Sequence, residues 1–322
     1  MESTSELILA SPRGFCAGVD RAIEIVELAL EVYGPPVYVR HEIVHNRHVV
    51  ESLRARGAIF VDHLADVPAG SRLIFSAHGV SPAIREEARA RGLRSLDATC
   101  PLVTKVHVEA LRQARADYEI VLVGHRGHVE VEGTLGHAPE RMHLVETLDD
   151  ARRLEVRDPE RLAVLTQTTL SVDDTREILA ELARRFPRIR LPSKDDICYA
   201  TQNRQDAIKA VAPRVDLLLV VGAPSSSNTL RLVEVARGAG VRAERIESAD
   251  DLDPRWLEGT RRIGVSAGAS APEALVIELI ERIRERTGAE LRELRIADEH
   301  IRFALPQDLK RDLQERRADP GA

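Results

Sequence analysis

Residues 14–30, GFCAGVDRAIEIVELAL, follow a short apolar run at Leu7–Ala10 and carry Val19, Ile23, Val26 and Leu30 at helical spacing. A short apolar run of strand length, a glycine-bearing turn and then a period of three to four residues predict strand, loop and helix. Cys16 falls at the join. Residues 98–114, ATCPLVTKVHVEALRQA, and 196–212, DICYATQNRQDAIKAVA, repeat the arrangement, with Cys100 and Cys198 just ahead of Val103, Val106, Ala110, Ala114 and of Ala200, Ala207, Ile208, Val211. A thiol at a helix start faces unpaired backbone N–H groups and the positive end of the helix dipole, which favour the thiolate. Asp97 and Asp195 stand three residues ahead of Cys100 and Cys198. These three cysteines are the whole complement, spread so that each marks about a third of the chain. They are expected to act as one ligand from each of three lobes.

Working outward, further strand-like runs lie at Val37–Val39, Ile59–Val61, Leu73–Phe75, Ile120–Val123, His143–Val145, Ala163–Leu165, Leu217–Val221, Arg242–Ile246 and Ile263–Val265, each leading to a polar or glycine-bearing loop and a helical pattern. That alternation predicts an α/β fold with mainly parallel sheets. The expected division is 1–99, 100–197 and 198–290 as three similar α/β lobes in a pseudo-threefold cloverleaf, with 291–322 a C-terminal strand (HIRFALPQDLK) and a frayed tail. Residues 148–161 are charged and expected at the surface.

A chain of 322 residues can bury a substantial core, and 43% hydrophobic with 30% charged residues is ordinary for a folded protein. A net charge of −6 and 3% aromatic residues argue against nucleic-acid binding. The start, MESTSELILASPRG, lacks a basic region and a long apolar one, so no signal peptide is expected. No apolar run approaches the roughly 18–20 residues that cross a membrane. A cytoplasmic setting is the default, where widely spaced cysteines point to metal or catalysis rather than disulfides.

In parallel sheets ligands gather beyond the carboxyl ends of strands. The loops there are polar: SAHGVSP after Phe75, GHRGHVEVEG after Val123, TQTTLSVDD after Leu165, GAPSSSNTLR after Val221 and SAGASAPE after Val265. Ser226, Ser227 and Asn228 at a helix start suit an anion; one serine could be a simple N-cap, but this set exceeds capping demand. No Walker loop or dinucleotide fingerprint is present. Ser270 with Glu273 reads as a capping box, with Pro272 in the first turn, so capping alone would explain it. Ser171 with Asp174 reads as an N-cap pair, which leaves Thr168 and Thr169 as the functional candidates in that loop. Among eleven histidines, His78 and His128 lie in strand-end loops and can donate to a phosphate or alkoxide; singly, each is as readily a structural histidine. Glu130 and Glu132 compete as the carboxyl that carries a proton. No C-x-x-C pair is present, which disfavours a zinc finger. Three thiolates are one short of a fully ligated iron–sulfur cluster and would leave one iron open as a Lewis acid.

The segments PRGFCAGVDRAI, VRHEIVHN, FSAHGVSP, DATCPLVTKVH, GHRGHVEVEGT, TQTTLSVDDT, DDICYATQNRQ, SSSN and SAGASAP together resemble the 4-hydroxy-3-methylbut-2-enyl diphosphate reductase family. The resemblance runs in order over nearly the whole chain. It implies three α/β lobes about a 4Fe-4S cluster on Cys16, Cys100 and Cys198. His45, His78, His128, Ser226, Ser227, Asn228 and Ser270 would surround the diphosphate, with Glu130 and Thr168 serving the hydroxyl end. The implied reaction, last in the non-mevalonate isoprenoid pathway, is reductive dehydroxylation to isopentenyl and dimethylallyl diphosphate plus water. The substrate C4 oxygen is expected at the open iron, with the proton from Glu130 and electrons from a ferredoxin or flavodoxin. His41 and His125 fall outside the family's ligand positions, and Pro224-Ser225 is a local departure not expected to alter binding. Two rival readings are a hydro-lyase, which would consume no reductant, and a binding protein stapled by zinc, which would be colourless.

Overall fold

The computed structural model describes residues 5–192 and 196–318, so Asp195 lies outside the described residues. In chain order the first elements are β1 (Glu6–Ser11), α1 (Ala17–Tyr33), β2 (Val37–Arg40), α2 (Arg47–Ala55), β3 (Ala58–Val61), β4 (Arg72–Phe75), α3 (Pro82–Ala90) and β5 (Arg94–Asp97). Then come α4 (Pro101–Arg115), β6 (Glu119–Val123), α5 (Val129–Leu135), β7 (Met142–Val145), α6 (Leu148–Arg153), β8 (Leu162–Thr166) and α7 (Val172–Arg185). The remainder is α8 (Tyr199–Val211), β9 (Leu217–Val221), α9 (Ser227–Gly238), β10 (Arg242–Ile246), β11 (Arg262–Ala267), α10 (Glu273–Thr287), β12 (Glu290–Arg295) and α11 (Gln307–Ala318). Every pairing of these strands is parallel.

Two compact units emerge. The first comprises residues 1–16, 45–47 and 198–301 and holds one sheet of order β10-β9-β11-β1-β12. Alternation of apolar residues serves both faces of this sheet. Leu7, Leu9, Leu217, Leu219, Ile263 and Val265 pack on Leu275, Val276, Leu279 and Ile283 of α10. Their neighbours Ile8, Leu218 and Val220 pack on Ala207, Ile208 and Val211 of α8 and on Leu232, Val233 and Ala236 of α9. Covered on both sides, the strands read as continuous apolar runs.

The second unit comprises residues 17–44, 48–197 and 302–322 and holds two sheets, β3-β2-β4-β5 and β7-β6-β8. The four-stranded sheet centres on Leu73, Phe75, Val80 and Ala88. The three-stranded sheet packs Val121, Val123 and Val164 on Ile178 and Leu182 of α7. Its other face packs Ile120, Leu122 and Leu165 on Val106 and Ala110 of α4 and Val131 of α5.

Several expectations need correction. The first strand does not stay with 1–99: β1 sits between β11 and β12, because its apolar residues on both faces suit an interior position. Residues 300–306 form no strand; the C-terminal strand is β12, whose ELRELR sequence is mostly exposed at a sheet edge. Within the tail expected to fray, residues 315–318 belong to α11. That helix docks on α1 through the buried Leu309 and a Tyr33 hydroxyl donating to Asp312 at 2.8 Å. The short strand β5 was not anticipated, since Arg94–Asp97 is polar and pairs on one side only.

Candidate active site

In the first unit the loops after β1, β9 and β11 meet at the carboxyl ends of neighbouring strands. The Cys16 N–H donates to the Ala269 carbonyl at 3.3 Å, the Gly14 N–H to Ala267 at 3.3 Å and the Gly268 N–H to Val221 at 2.9 Å. Ser226 is the N-cap of α9, its hydroxyl accepting the Thr229 N–H at 3.3 Å. Ser226, Ser227 and Asn228 are all buried, as is Ser270.

The capping box expected at Ser270 does not form. Pro272 is the N-cap of α10 and makes no side-chain cap, and Glu273 instead pairs with Arg13 at 2.5 Å. The Ser270 hydroxyl donates to the His45 carbonyl at 2.9 Å and reaches the Ser226 hydroxyl at 3.5 Å. Released from capping, Ser270 belongs to the same polar cluster as Ser226 and His45. Ser171, by contrast, caps α7 as expected, accepting the Asp174 N–H at 3.2 Å.

Thr201 also belongs here, and the sequence reading passed over it. The Asn228 Oδ1 accepts the Ala269 N–H at 2.9 Å, and its Nδ2 donates to Thr201 Oγ1 at 3.3 Å. Thr201 Oγ1 lies 3.2 Å from Cys198 Sγ, which also accepts the Thr201 N–H at 3.4 Å. The available signal was spacing: Thr201 stands three residues after a cysteine at an N-cap, where S-x-x-E boxes make their reciprocal bond. Below these residues the wholly buried Arg204 donates to the carbonyls of Gly14, Phe15 and Ala200 and pairs with Glu299 at 3.0 Å.

In the second unit Cys100 is the N-cap of α4, and its N–H donates to Ala77 at 2.9 Å. Arg21 holds the approach to it, donating to the Thr99 and Asp97 carbonyls at 3.0 and 3.4 Å. His78 and His128 face each other edge to face, ring centroids 6.0 Å apart. Ser76 Oγ lies 3.2 Å from His78 Nδ1. His128 caps α5 and its Nδ1 accepts the Glu130 N–H at 3.2 Å, which puts that ring's proton on Nε2.

The two glutamates differ in burial. Glu130 is 4% exposed and its Oε1 accepts the Thr168 N–H at 2.7 Å, whereas Glu132 is exposed. The contact with Thr168 is through the backbone N–H rather than the hydroxyl. Asp196, two residues before Cys198, is buried; it accepts the Thr166 N–H at 3.2 Å and pairs with Lys105 at 3.3 Å. Burial pushes its carboxyl above the ordinary range, and Lys105 opposes that shift.

His41 Nδ1 lies 3.0 Å from Asp62 and His125 Nδ1 3.3 Å from Glu146. No cysteine is in a disulfide, and all three are half-buried. Among the described residues, no three of His, Cys, Asp and Glu gather to hold a single metal ion, and no helix is long and apolar enough to cross a membrane.

Comparison with known proteins agrees with the sequence motifs. The chain is 58% identical over 305 residues to 4-hydroxy-3-methylbut-2-enyl diphosphate reductase 2 of Burkholderia mallei, covering 95% of this chain and 94% of that protein. It is 59% identical over 309 residues to the reductase of that name from Bordetella pertussis, covering 96% and 95%. The solved E-1-hydroxy-2-methyl-but-2-enyl-4-diphosphate reductase of Plasmodium falciparum superposes with a TM-score of 0.95 at 41% identity, covering 98% of this chain and 99% of that one. The solved (E)-4-hydroxy-3-methyl-but-2-enyl diphosphate reductase, the terminal enzyme of the non-mevalonate pathway, is 34% identical with a TM-score of 0.63, covering 87% of this chain and 99% of that one. The family model described as LytB protein matches residues 7–284, a span that takes in all three cysteines and every candidate site residue above, and the chain therefore belongs to the LytB family.

Proposed function

We propose that the chain reduces 4-hydroxy-3-methylbut-2-enyl diphosphate to isopentenyl and dimethylallyl diphosphate, using a 4Fe-4S cluster held by Cys16, Cys100 and Cys198. The donor set supports that cofactor. Thiolates are soft ligands suited to iron–sulfur clusters, Cys100 and Cys198 open helices, and Cys16 directly precedes one. A cluster needs its sulfurs at separate corners, not three around one ion. When bound, it supplies electrons singly and offers an iron without a protein thiolate as a Lewis acid.

The chain's own groups would do the rest. Ser226, Ser227, Asn228 and Ser270 would bind the diphosphate, as would His45, His78 and His128. Hydroxyls, amides and imidazoles bind an anion through directed hydrogen bonds, which suits a pocket that excludes water. The reaction consumes two electrons and two protons: the C–O bond breaks, one proton leaves with oxygen as water, and the other ends on carbon. The observation that carries the proposal is the buried Glu130 carboxyl held on the Thr168 N–H, two residues from the His128 cap. A carboxyl so placed would pass a proton to a departing hydroxyl; Thr168 would orient that hydroxyl. A ferredoxin or flavodoxin-type protein would supply electrons, in the cytoplasm.

Anaerobic purification with iron and sulfide analysis, then assay with a reduced one-electron donor, tests the reading. Loaded enzyme should turn over the allylic diphosphate only while consuming reductant; product without reductant would favour a hydro-lyase. Glu130→Gln should cut turnover by at least about 100-fold, the range lost with a general acid, and leave the visible absorbance of the cluster unchanged. Unaltered turnover would remove Glu130 from the reaction.

A further inference from the structure

We infer that Thr201 is a positioning residue that fixes Cys198 Sγ and links it to the anion-binding Asn228. The inference rests on the proposal that Cys198 ligates the cluster. Orientation along the relay is set at its far end. The Ala269 N–H occupies Asn228 Oδ1 at 2.9 Å, so the amide must turn its Nδ2 toward Thr201, 3.3 Å away. Thr201 Oγ1 then accepts from Asn228, and its single proton is left to point at Cys198 Sγ, 3.2 Å away.

The Thr201 N–H, 3.4 Å from the same sulfur, adds a second donor. Thr201 and Asn228 are 1% and 3% exposed, so water does not compete for these bonds. Ser270 bonds instead to the Ser226 hydroxyl and the His45 carbonyl.

Donors to a ligand sulfur stabilise the more negative, reduced state of an iron–sulfur cluster and raise its potential. An anion on Asn228 polarises its amide, and the next atom along is Thr201 Oγ1. Occupancy of the cradle is therefore felt at the sulfur through the hydroxyl. Valine has the shape of threonine without that hydroxyl, and it keeps the backbone N–H.

The experiment uses anaerobically loaded full-length wild type, Thr201→Val and Thr201→Ser, with midpoint potentials and electron paramagnetic resonance spectra recorded with and without inorganic pyrophosphate. Wild type should shift its potential on adding pyrophosphate. Thr201→Val should have a lower potential and lose that shift, and Thr201→Ser should restore both. A Thr201→Val enzyme identical to wild type in potential and in response overturns the inference, and so does Thr201→Ser behaving like Thr201→Val. Iron and sulfide analysis separates the two levels. A wild type that takes up no cluster overturns the functional reading and this inference with it, whereas a loaded wild type indifferent to the substitution overturns the inference alone.

Discussion

A single buried imidazole makes the second unit sensitive to acid. His107 stacks on His137 with ring centroids 4.0 Å apart, and its Nε2 is buried without a partner. Burial, helped by His137 and Arg85 and opposed by Asp97, pushes its pKa down to about 3. In the unfolded chain the same group titrates near 6.5. The unfolded state thus binds the extra proton first, so the stability tied to neutral His107 is complete above about pH 6.5 and is lost as pH falls toward 3. Thermal unfolding followed by circular dichroism should show stability declining over that window, by up to ~1.4 kcal/mol per pH unit. Replacing His107 by Leu should flatten this part of the profile; an unchanged slope would assign the acid sensitivity elsewhere. The ring also touches the backbone of the His78 loop, since a Cβ on Gly79 would collide with it, and the positive φ of 81° at Gly79 suits glycine alone.

At the scale of elements, the proposed anion cradle depends on how closely α9 approaches the sheet. A Cβ at Gly268 or at Gly222 would overlap the Thr229 side chain, which lies wholly buried in the first turn of α9. Gly268→Ala should therefore push the helix start outward, destabilise by about 1–3 kcal/mol as overpacking does, and weaken pyrophosphate binding about tenfold or more for each ~1.4 kcal/mol lost. Calorimetric titration with pyrophosphate checks it, and undiminished affinity would refute the packing argument. The same elements explain what the sequence disclosed. Buried strands such as Leu217–Val221 and the helices behind each cysteine announced themselves because apolar residues are obligatory there. The edge strands β5 and β12 did not, because a strand paired on one side can be polar throughout. Among candidate site residues, Glu130 could not be separated from Glu132 by sequence, since their difference in burial appears only in the fold. Ser270 matched a capping signature that the fold leaves unused, and Thr201 was hidden because its partners Asn228 and Cys198 become neighbours only in three dimensions.

For the molecule as a whole, integrity of the first unit depends on bonds between segments remote in sequence. Arg204 is the extreme instance, tying α8 to Gly14 and Phe15 ahead of Cys16 and to Glu299 near the end of that unit. Arg204→Met would leave the Glu299 carboxylate and these carbonyls without their cation, at a cost of about 3–5 kcal/mol. A urea midpoint that falls correspondingly, with iron retention falling alongside, is the expected result; a midpoint equal to wild type would mean that water replaces the guanidinium. The position of β1 between β11 and β12 has a consequence for biosynthesis. Leu7, Ile8 and Leu9 leave the ribosome more than 250 residues ahead of the strands that flank them, which are encoded by residues 262–267 and 290–295. Until those later strands emerge this greasy ribbon has neither neighbour, and its exposed apolar surface is prone to aggregate. The Cys16 thiol that follows it gains the Ala269 carbonyl beside its N–H only after that late segment has been made.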